Sequence, residues 1–181
     1  MERLHLHIPT VQELWYREHI LSDADTMSYN KGYQLEFLGY NNDSGCISFP
    51  KTQWKDWYNW FVCGVPDRFY SYIVRNEDNA FIGDVNIHKS NNDDCYEMGI
   101  VIESKYRGMG YANEALKLLL EQAFEVFNAK AVHNNFEISR EAAIKAHLSA
   151  GFLVNREENG IIDLVISRAQ YDLFNSQNQC N

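Results

Sequence analysis

Paired cysteines, prolines, basic charge and long apolar runs are all scarce in this 181-residue chain, and each scarcity excludes something. The four cysteines, Cys46, Cys63, Cys95 and Cys180, form no CxxC pair and have no histidine at zinc-ligand spacing. They read as idle thiols in a reducing compartment, with neither a disulfide framework nor a metal site. No run of about 18 apolar residues occurs, so no membrane-spanning helix is expected. The N-terminal residues lack the apolar core of a signal peptide, and the expectation is a cytoplasmic protein. Lys and Arg number 16 against 25 Asp and Glu, and this net charge of −9 excludes a general binder of the nucleic-acid backbone. It suits a cationic substrate, and equally a protein that uses charge for solubility. Only three prolines occur, and no repeat, linker or low-complexity tract divides the chain, so one domain is expected over 1–181.

Apolar residues make up 45% of the chain and aromatics 14%, enough for a sizeable core. Leu4, Leu6 and Ile8 alternate with polar residues as a short strand. Thr10 and Glu13 then form a capping box for a helix to about Leu21. Ser22–Phe49 has no clean period and is long for a connection, so a functional loop or short helices are expected there. Trp54, Trp57, Tyr58 and Phe61 give one aromatic helix face, read as core packing or as a wall for stacking a ligand. Phe69–Arg75, Phe81–His88 and Cys95–Glu103 read as an antiparallel meander with turns at Asn76–Asn79 and Lys89–Asp94. A strongly amphipathic helix follows from Ala112 to Phe127, then a strand over Ala129–Glu137. A helix capped by Ser139 ends at Gly151, and its Ala142, Ala143, Ala146 and Ala150 suit close packing. A hairpin folds about Asn159-Gly160, and a short helix at 169–174 closes the chain. The order predicts a mixed α/β domain of the α+β kind.

Chemistry concentrates between the strand ending near Ile102 and the helix beginning near Tyr111. There the chain reads Lys105-Tyr-Arg-Gly-Met-Gly-Tyr-Ala112. Two glycines around one residue allow a tight bend whose N–H groups approach a ligand, and the helix start adds free N–H groups and a positive dipole end. Phosphate or pyrophosphate is the natural guest; the other reading is a tight turn alone. Neither common nucleotide fingerprint fits. No Gly-Lys-Ser/Thr occurs, and Asn113 stands where GxGxxG needs its third glycine.

Arg107-Gly-Met-Gly110-Tyr-Ala112 resembles the R/Q-x-x-G-x-G/A motif of the GNAT superfamily of acetyl-CoA-dependent N-acetyltransferases. Tyr96-Glu-Met-Gly-Ile-Val-Ile102 resembles that family's fourth strand, and Ala142-Ala-Ile-Lys-Ala-His-Leu-Ser-Ala-Gly-Phe152 its next conserved helix. The likeness covers roughly Phe69 to Ile166 and is closest to the branch that acetylates ribosomal-protein N-termini and small amines. It implies a single GNAT-like domain whose mostly antiparallel sheet splays between the fourth and fifth strands and is flanked by helices. Residues 69–167 would form the acetyl-CoA-binding core, and 1–65 the acceptor-side helices and loop.

The resemblance also implies roles. Backbone N–H groups of Arg107, Gly108, Met109, Gly110, Tyr111 and Ala112 would cradle the CoA pyrophosphate. Ile100, Val101 and Ile102 would pair with the pantetheine arm as with an added strand. Gly99 could serve a bulge there, and Arg140 replaces the family's usual Asn and could reach phosphate. Glu97, just before the splay, is the candidate base, with Asn86 or Ile87 expected opposite it; its other reading is a solvated carboxylate. Glu103 is expected to point away from the pyrophosphate. His147 stands at the family's Tyr position and is the candidate acid for the thiolate, or else a helix-surface histidine. His88 is expected to face solvent. The implied reaction is acetyl transfer from acetyl-CoA to a primary amine by direct attack, with no metal. The acceptor would be a small amine or a peptide N-terminus. No nucleic-acid or membrane partner is expected, and the protein would be a monomer or homodimer. The rival readings are an idle acyl-CoA-binding module and a protein-interaction domain.

Overall fold

The structure is a computed structural model that describes residues 2–36, 38–65, 67–90 and 95–178. Residues 91–94 of the expected 89–94 turn, and Cys180, lie outside these. Seven strands pair in the order β1-β2-β3-β4-β5-β7-β6. They are β1 (Leu4–His7), β2 (Arg68–Arg75), β3 (Ala80–Lys89), β4 (Cys95–Ile102), β5 (Ala131–Glu137), β6 (Leu153–Glu158) and β7 (Ile161–Ser167). The helices are α1 (Trp15–Ser22), α2 (Ala24–Met27), α3 (Lys51–Trp57), α4 (Tyr111–Glu121), α5 (Glu141–Ser149) and α6 (Arg168–Asn178). The pair β4–β5 is parallel, whereas β1–β2, β5–β7 and β6–β7 are antiparallel. This is the expected mixed α/β architecture with a mostly antiparallel sheet. Among the described residues no helix is long and apolar enough to cross a membrane.

Two compact units divide the chain. The first is Met1–Asp84 with Ile100–Tyr111. Its core gathers Leu14, Tyr16, Ile20, Trp54, Tyr70 and Tyr72. The expected capping interaction is present: Glu13 Oε2 accepts from Thr10 N (2.7 Å) and Thr10 Oγ1 (2.9 Å). The long stretch after α1 holds α2, whose first N–H groups are capped by the Asp23 carboxylate. The aromatic helix packs inward. Trp54 is buried, and the Trp57 ring meets Tyr70 edge-on at 5.0 Å, so the core reading holds for this face.

The second unit is Val85–Gly99 with Ala112–Asn181. Ala115, Leu116, Leu119, Leu120, Ala123 and Phe124 are buried along α4 and the wider turn that continues it, as their spacing predicts. Asn159 and Gly160 both take positive φ (+52° and +78°), the geometry a two-residue hairpin demands. Two boundaries differ from expectation. Arg140, not Ser139, is the N-cap of α5. The last helix runs to Asn178, past the expected 174; at its start the Gln170 side-chain oxygen accepts from Ser167 N (2.8 Å), and Tyr171 stacks on Phe124 at 4.6 Å.

Candidate active site

After β4, a single 3-10 turn (Ser104–Tyr106) leads into Arg107-Gly-Met-Gly110 and then α4. Gly108 and Gly110 both have left-handed backbones, at φ +78° and +81°. A Cβ on Gly108 would meet nothing within 4 Å, so that glycine serves its backbone angle and not packing. Arg3 braces the turn: Nη1 donates to Met109 O (3.2 Å), and the guanidinium lies 4.9 Å over the Tyr111 ring. The first N–H groups of α4 have no intrahelical partner, as at any helix start. A helix start of this kind, with its positive dipole end, is the local geometry that suits an anion such as pyrophosphate.

The cations of this segment have other employment. Arg107 donates through Nε to Ile102 O (3.0 Å), through Nη1 to Asp25 O (3.3 Å) and through Nη2 to Thr26 O (2.6 Å), latching α2 to the turn. Its own N–H bonds Ser104 O (3.2 Å), so that donor is not free for the cradle expected from Arg107 onward. Lys105 Nζ pairs with Glu103 Oε1 at 2.7 Å.

Glu103 makes contacts that were not legible in the sequence. It is buried, and Oε2 accepts from Tyr16 Oη (3.1 Å) while Oε1 lies 3.1 Å from His19 Nε2. Burial alone would raise its carboxyl pKa, but the bonds from Lys105, His19 and Tyr16 outweigh it and hold the group below the usual range. A lowered folded value means that the folded state binds the proton less readily than the unfolded one. Its stabilisation is therefore present above the ordinary glutamate value of about 4.3 and is lost as pH falls through the lower folded one. Glu103→Gln should flatten the acid side of the stability curve, read as melting temperature against pH; an unchanged acid limb would show that Glu103 adds no such linkage.

A second buried cluster joins α1 to the strands of the same unit. Tyr70 Oη donates to Asp84 Oδ2 (2.8 Å), and Arg17 Nη1 lies 3.8 Å from the same oxygen. The Arg17 guanidinium also stacks over Trp57 at 4.1 Å. Burial pushes the Asp84 carboxyl up, despite the pull of Arg17 and Tyr70.

The parallel pairing of β4 with β5 covers Cys95↔Ala131, Tyr96↔Val132 and Glu97↔His133. Beyond it, among the described residues, Asn134–Glu137 of β5 pair only with β7, so the two strands part after Glu97 as expected. Opposite Glu97 the structure corrects the expectation. Ser90 N donates to Cys95 O (2.8 Å), which continues the pairing past Lys89 and shifts the register by two residues from Asn86, or one from Ile87. His88 therefore meets Glu97, with Nε2 to Oε2 at 3.3 Å, and does not simply face solvent. Asn86 lies against Gly99 instead: a Cβ there would come 2.6 Å from its Nδ2. Both side chains of the His88–Glu97 pair are partly open to solvent, at 38% and 51%.

Ile100, Val101 and Ile102 form the end of β4, and Ile102 is buried. In the second unit, the Arg140 guanidinium lies 5.0 Å over the Phe136 ring. His147 is buried, not on the helix surface. Its Nδ1 bonds Ala143 O (2.8 Å) and its Nε2 bonds Asn134 Nδ2 (2.9 Å), with the rings of Phe152 and Phe136 at 5.0 and 5.3 Å. A carbonyl only accepts and an amide NH₂ donates, so these partners specify a neutral ring with the proton on Nδ1. Burial also lowers its pKa.

Residues 3–153 match the family model described as "Acetyltransferase (GNAT) domain". The chain belongs to the GNAT acetyltransferase family. No curated protein matches the sequence significantly. Among solved structures, the fold is similar to a GNAT-family acetyltransferase from Bacillus anthracis, with TM-score 0.67, 18% identity, and 92% of this chain and 95% of that one covered. It is also similar to spermidine N-acetyltransferase from Vibrio cholerae in complex with CoA and spermine, with TM-score 0.73, 16% identity and coverage of 93% and 98%. A dodecameric structure of the Vibrio cholerae enzyme gives TM-score 0.70 at 14% identity, covering 93% and 96%. At these identities the likeness speaks for the fold.

Proposed function

We propose that this chain transfers the acetyl group of acetyl-CoA to a primary amine, by direct attack in a ternary complex with no covalent enzyme intermediate. The observation that carries the reading is the pair of left-handed glycines feeding a helix start directly after β4, the strand that parts from β5. The N–H groups from Gly108 to Ala112 hold the pyrophosphate, and the backbone of Ile100, Val101 and Ile102 pairs with the pantetheine arm. Arg140, at the start of α5, is assigned to a phosphate oxygen. Acetyl-CoA supplies an activated acyl group on a thiol leaving group.

An amine attacks only when neutral, so a proton must leave the ammonium first, and Glu97 is assigned as the base that takes it, directly or through water. The proposed role of His147 as acid for the departing thiolate requires its ring to give up the Asn134 bond; with that bond in place it ties α5 to β5 as a neutral ring.

The acceptor is a small amine or a peptide N-terminus, in keeping with the ribosomal-protein and small-amine branch. The acidic balance of the chain favours a cationic acceptor, and the spermine held by the Vibrio cholerae neighbour supports a polyamine as the first to try. We place the protein in the cytoplasm as a monomer or homodimer, without nucleic-acid or membrane partners.

The test combines CoA calorimetry with a thiol-release screen of amines, polyamines, aminoglycosides and N-terminal peptides. Turnover with at least one amine supports the proposal. CoA binding without turnover marks an idle acyl-CoA-binding module, and absence of CoA binding marks an interaction domain.

A further inference from the structure

On the sheet of the second unit, four titratable side chains form a row that crosses four strands. His88 on β3 faces Glu97 on β4 at 3.3 Å. Glu97 is register partner to His133 on β5. Paired residues on neighbouring strands share a sheet face and stand roughly 4.8 Å apart between strand axes, so His133 flanks Glu97 on the side away from His88. His133 Nδ1 in turn lies 3.6 Å from Asp163 Oδ1 on β7. The order across the sheet is therefore His88, Glu97, His133, Asp163, with imidazole and carboxylate alternating. Arg156 of β6 is register partner to Asp163 and is the charged group next in line, and Asn155 Nδ2 also bonds Asp163 Oδ2 (2.5 Å). Each member is between about one quarter and one half exposed, so the row is in contact with water. Imidazoles alternating with carboxylates in contact with water are groups that can hand protons on near neutral pH.

The overall reaction makes a demand that this row meets. An ammonium nitrogen carries three protons and a secondary amide carries one. Of the two lost, one ends on the CoA sulfur and the other must reach solvent. Glu97, the second member of the row, is the last residue of β4 paired with β5, so it stands where the two strands open.

We propose that His88 and His133 carry to solvent the proton that Glu97 removes from the acceptor ammonium. This rests on the assignment of Glu97 as base. The N–H bond of the ammonium breaks and an O–H bond forms on Glu97. That proton passes to His88 Nε2, or across the strand gap to His133, and the receiving ring releases one proton to water or buffer from its exposed side. Glu97 returns to the carboxylate form for the next turnover. Asp163 orients His133 and is a positioning residue.

The test uses the full chain with an acceptor found active in the thiol-release screen. The variants are His88→Gln, His133→Gln, their double variant and Glu97→Gln, each checked for thermal unfolding and CoA affinity; His88→Asn and His133→Asn replace any variant that does not fold. The double variant should lose on the order of 10²-fold in kcat near neutral pH with CoA affinity unchanged. Imidazole buffer should restore much of that loss, which a merely structural role would not allow. In the Glu97→Gln background the histidine substitutions should add little. In the free protein, ¹⁵N spectra of the imidazoles should show His88 shifted by Glu97→Gln while His147 stays in place. Wild-type kcat in the double variant, a loss that buffer does not touch, or an unmoved His88 resonance would each overturn the relay. A wild-type rate in Glu97→Gln would instead sink the base assignment itself, whereas a slow Glu97→Gln beside a fast double variant would sink the relay alone.

Discussion

Gly83→Ala should lower the melting temperature by on the order of 10 °C. A Cβ at Gly83 would lie 2.1 Å from Val101 O and 3.1 Å from Ile102 Cα, both backbone atoms of β4. Neither can turn aside as a side chain would, so the strand must shift. Overpacking costs about 1–3 kcal/mol and more where backbone moves, and a domain of this size loses about 2–4 °C per kcal/mol. The atoms displaced belong to the Ile100–Ile102 segment proposed to pair with the pantetheine arm, so CoA affinity should fall with stability. Gly99→Ala is the matched control. Its Cβ would meet the Asn86 amide, the far end of a side chain that can rotate away, and the penalty should be no more than about 1 kcal/mol. Equal melting temperatures for the two variants would contradict this close approach of β3 and β4.

Glu97→Gln should lower kcat by about 10²–10⁴-fold while leaving CoA affinity intact. The substitution keeps the shape of the side chain and a hydrogen-bond acceptor for His88, and removes the group that takes the proton. The loss should shrink at high pH, where more of the acceptor is already the neutral amine. Calorimetry and initial rates on the same preparation separate the two effects. A wild-type rate at neutral pH would leave Glu97 as an exposed strand residue and nothing more.

The elements that local chemistry determines were legible in the sequence. The two glycines of the turn, the Asn159-Gly160 hairpin, the Thr10–Glu13 capping bonds and the apolar face of α4 each depend on residues a few positions apart, and each formed where its residues stand. The parting of β4 from β5 followed from the family resemblance. What escaped is held together across the chain. Glu103 meets Tyr16 and His19 over separations of 87 and 84 residues, and Arg107 reaches Thr26 over 81. No periodicity reports such pairs. The His88–Glu97 contact was missed for a smaller reason. One hydrogen bond, Ser90 N to Cys95 O, sets the β3–β4 register, and a polar loop does not announce where its pairing begins. For His147 the sequence left open a ring near the cofactor or one on the helix surface; Glu141, Ala142, Lys145, Leu148 and Ser149 of the same helix are exposed, while the ring itself turns inward between two phenylalanines.

The central claim is that the glycine turn before α4 holds the cofactor of an acetyl transfer. Its most direct measurement is calorimetric titration of CoA into the wild-type chain and into Gly110→Asp. The substitution places a side chain and a negative charge on a left-handed backbone position where an anion must approach, and a Cβ there would meet, within 4 Å, only Arg3 Nη2 at 3.4 Å. The account predicts that the wild type binds CoA and that the folded variant binds it at least about tenfold more weakly, one power of ten being about 1.4 kcal/mol. A folded Gly110→Asp with wild-type CoA affinity would contradict it.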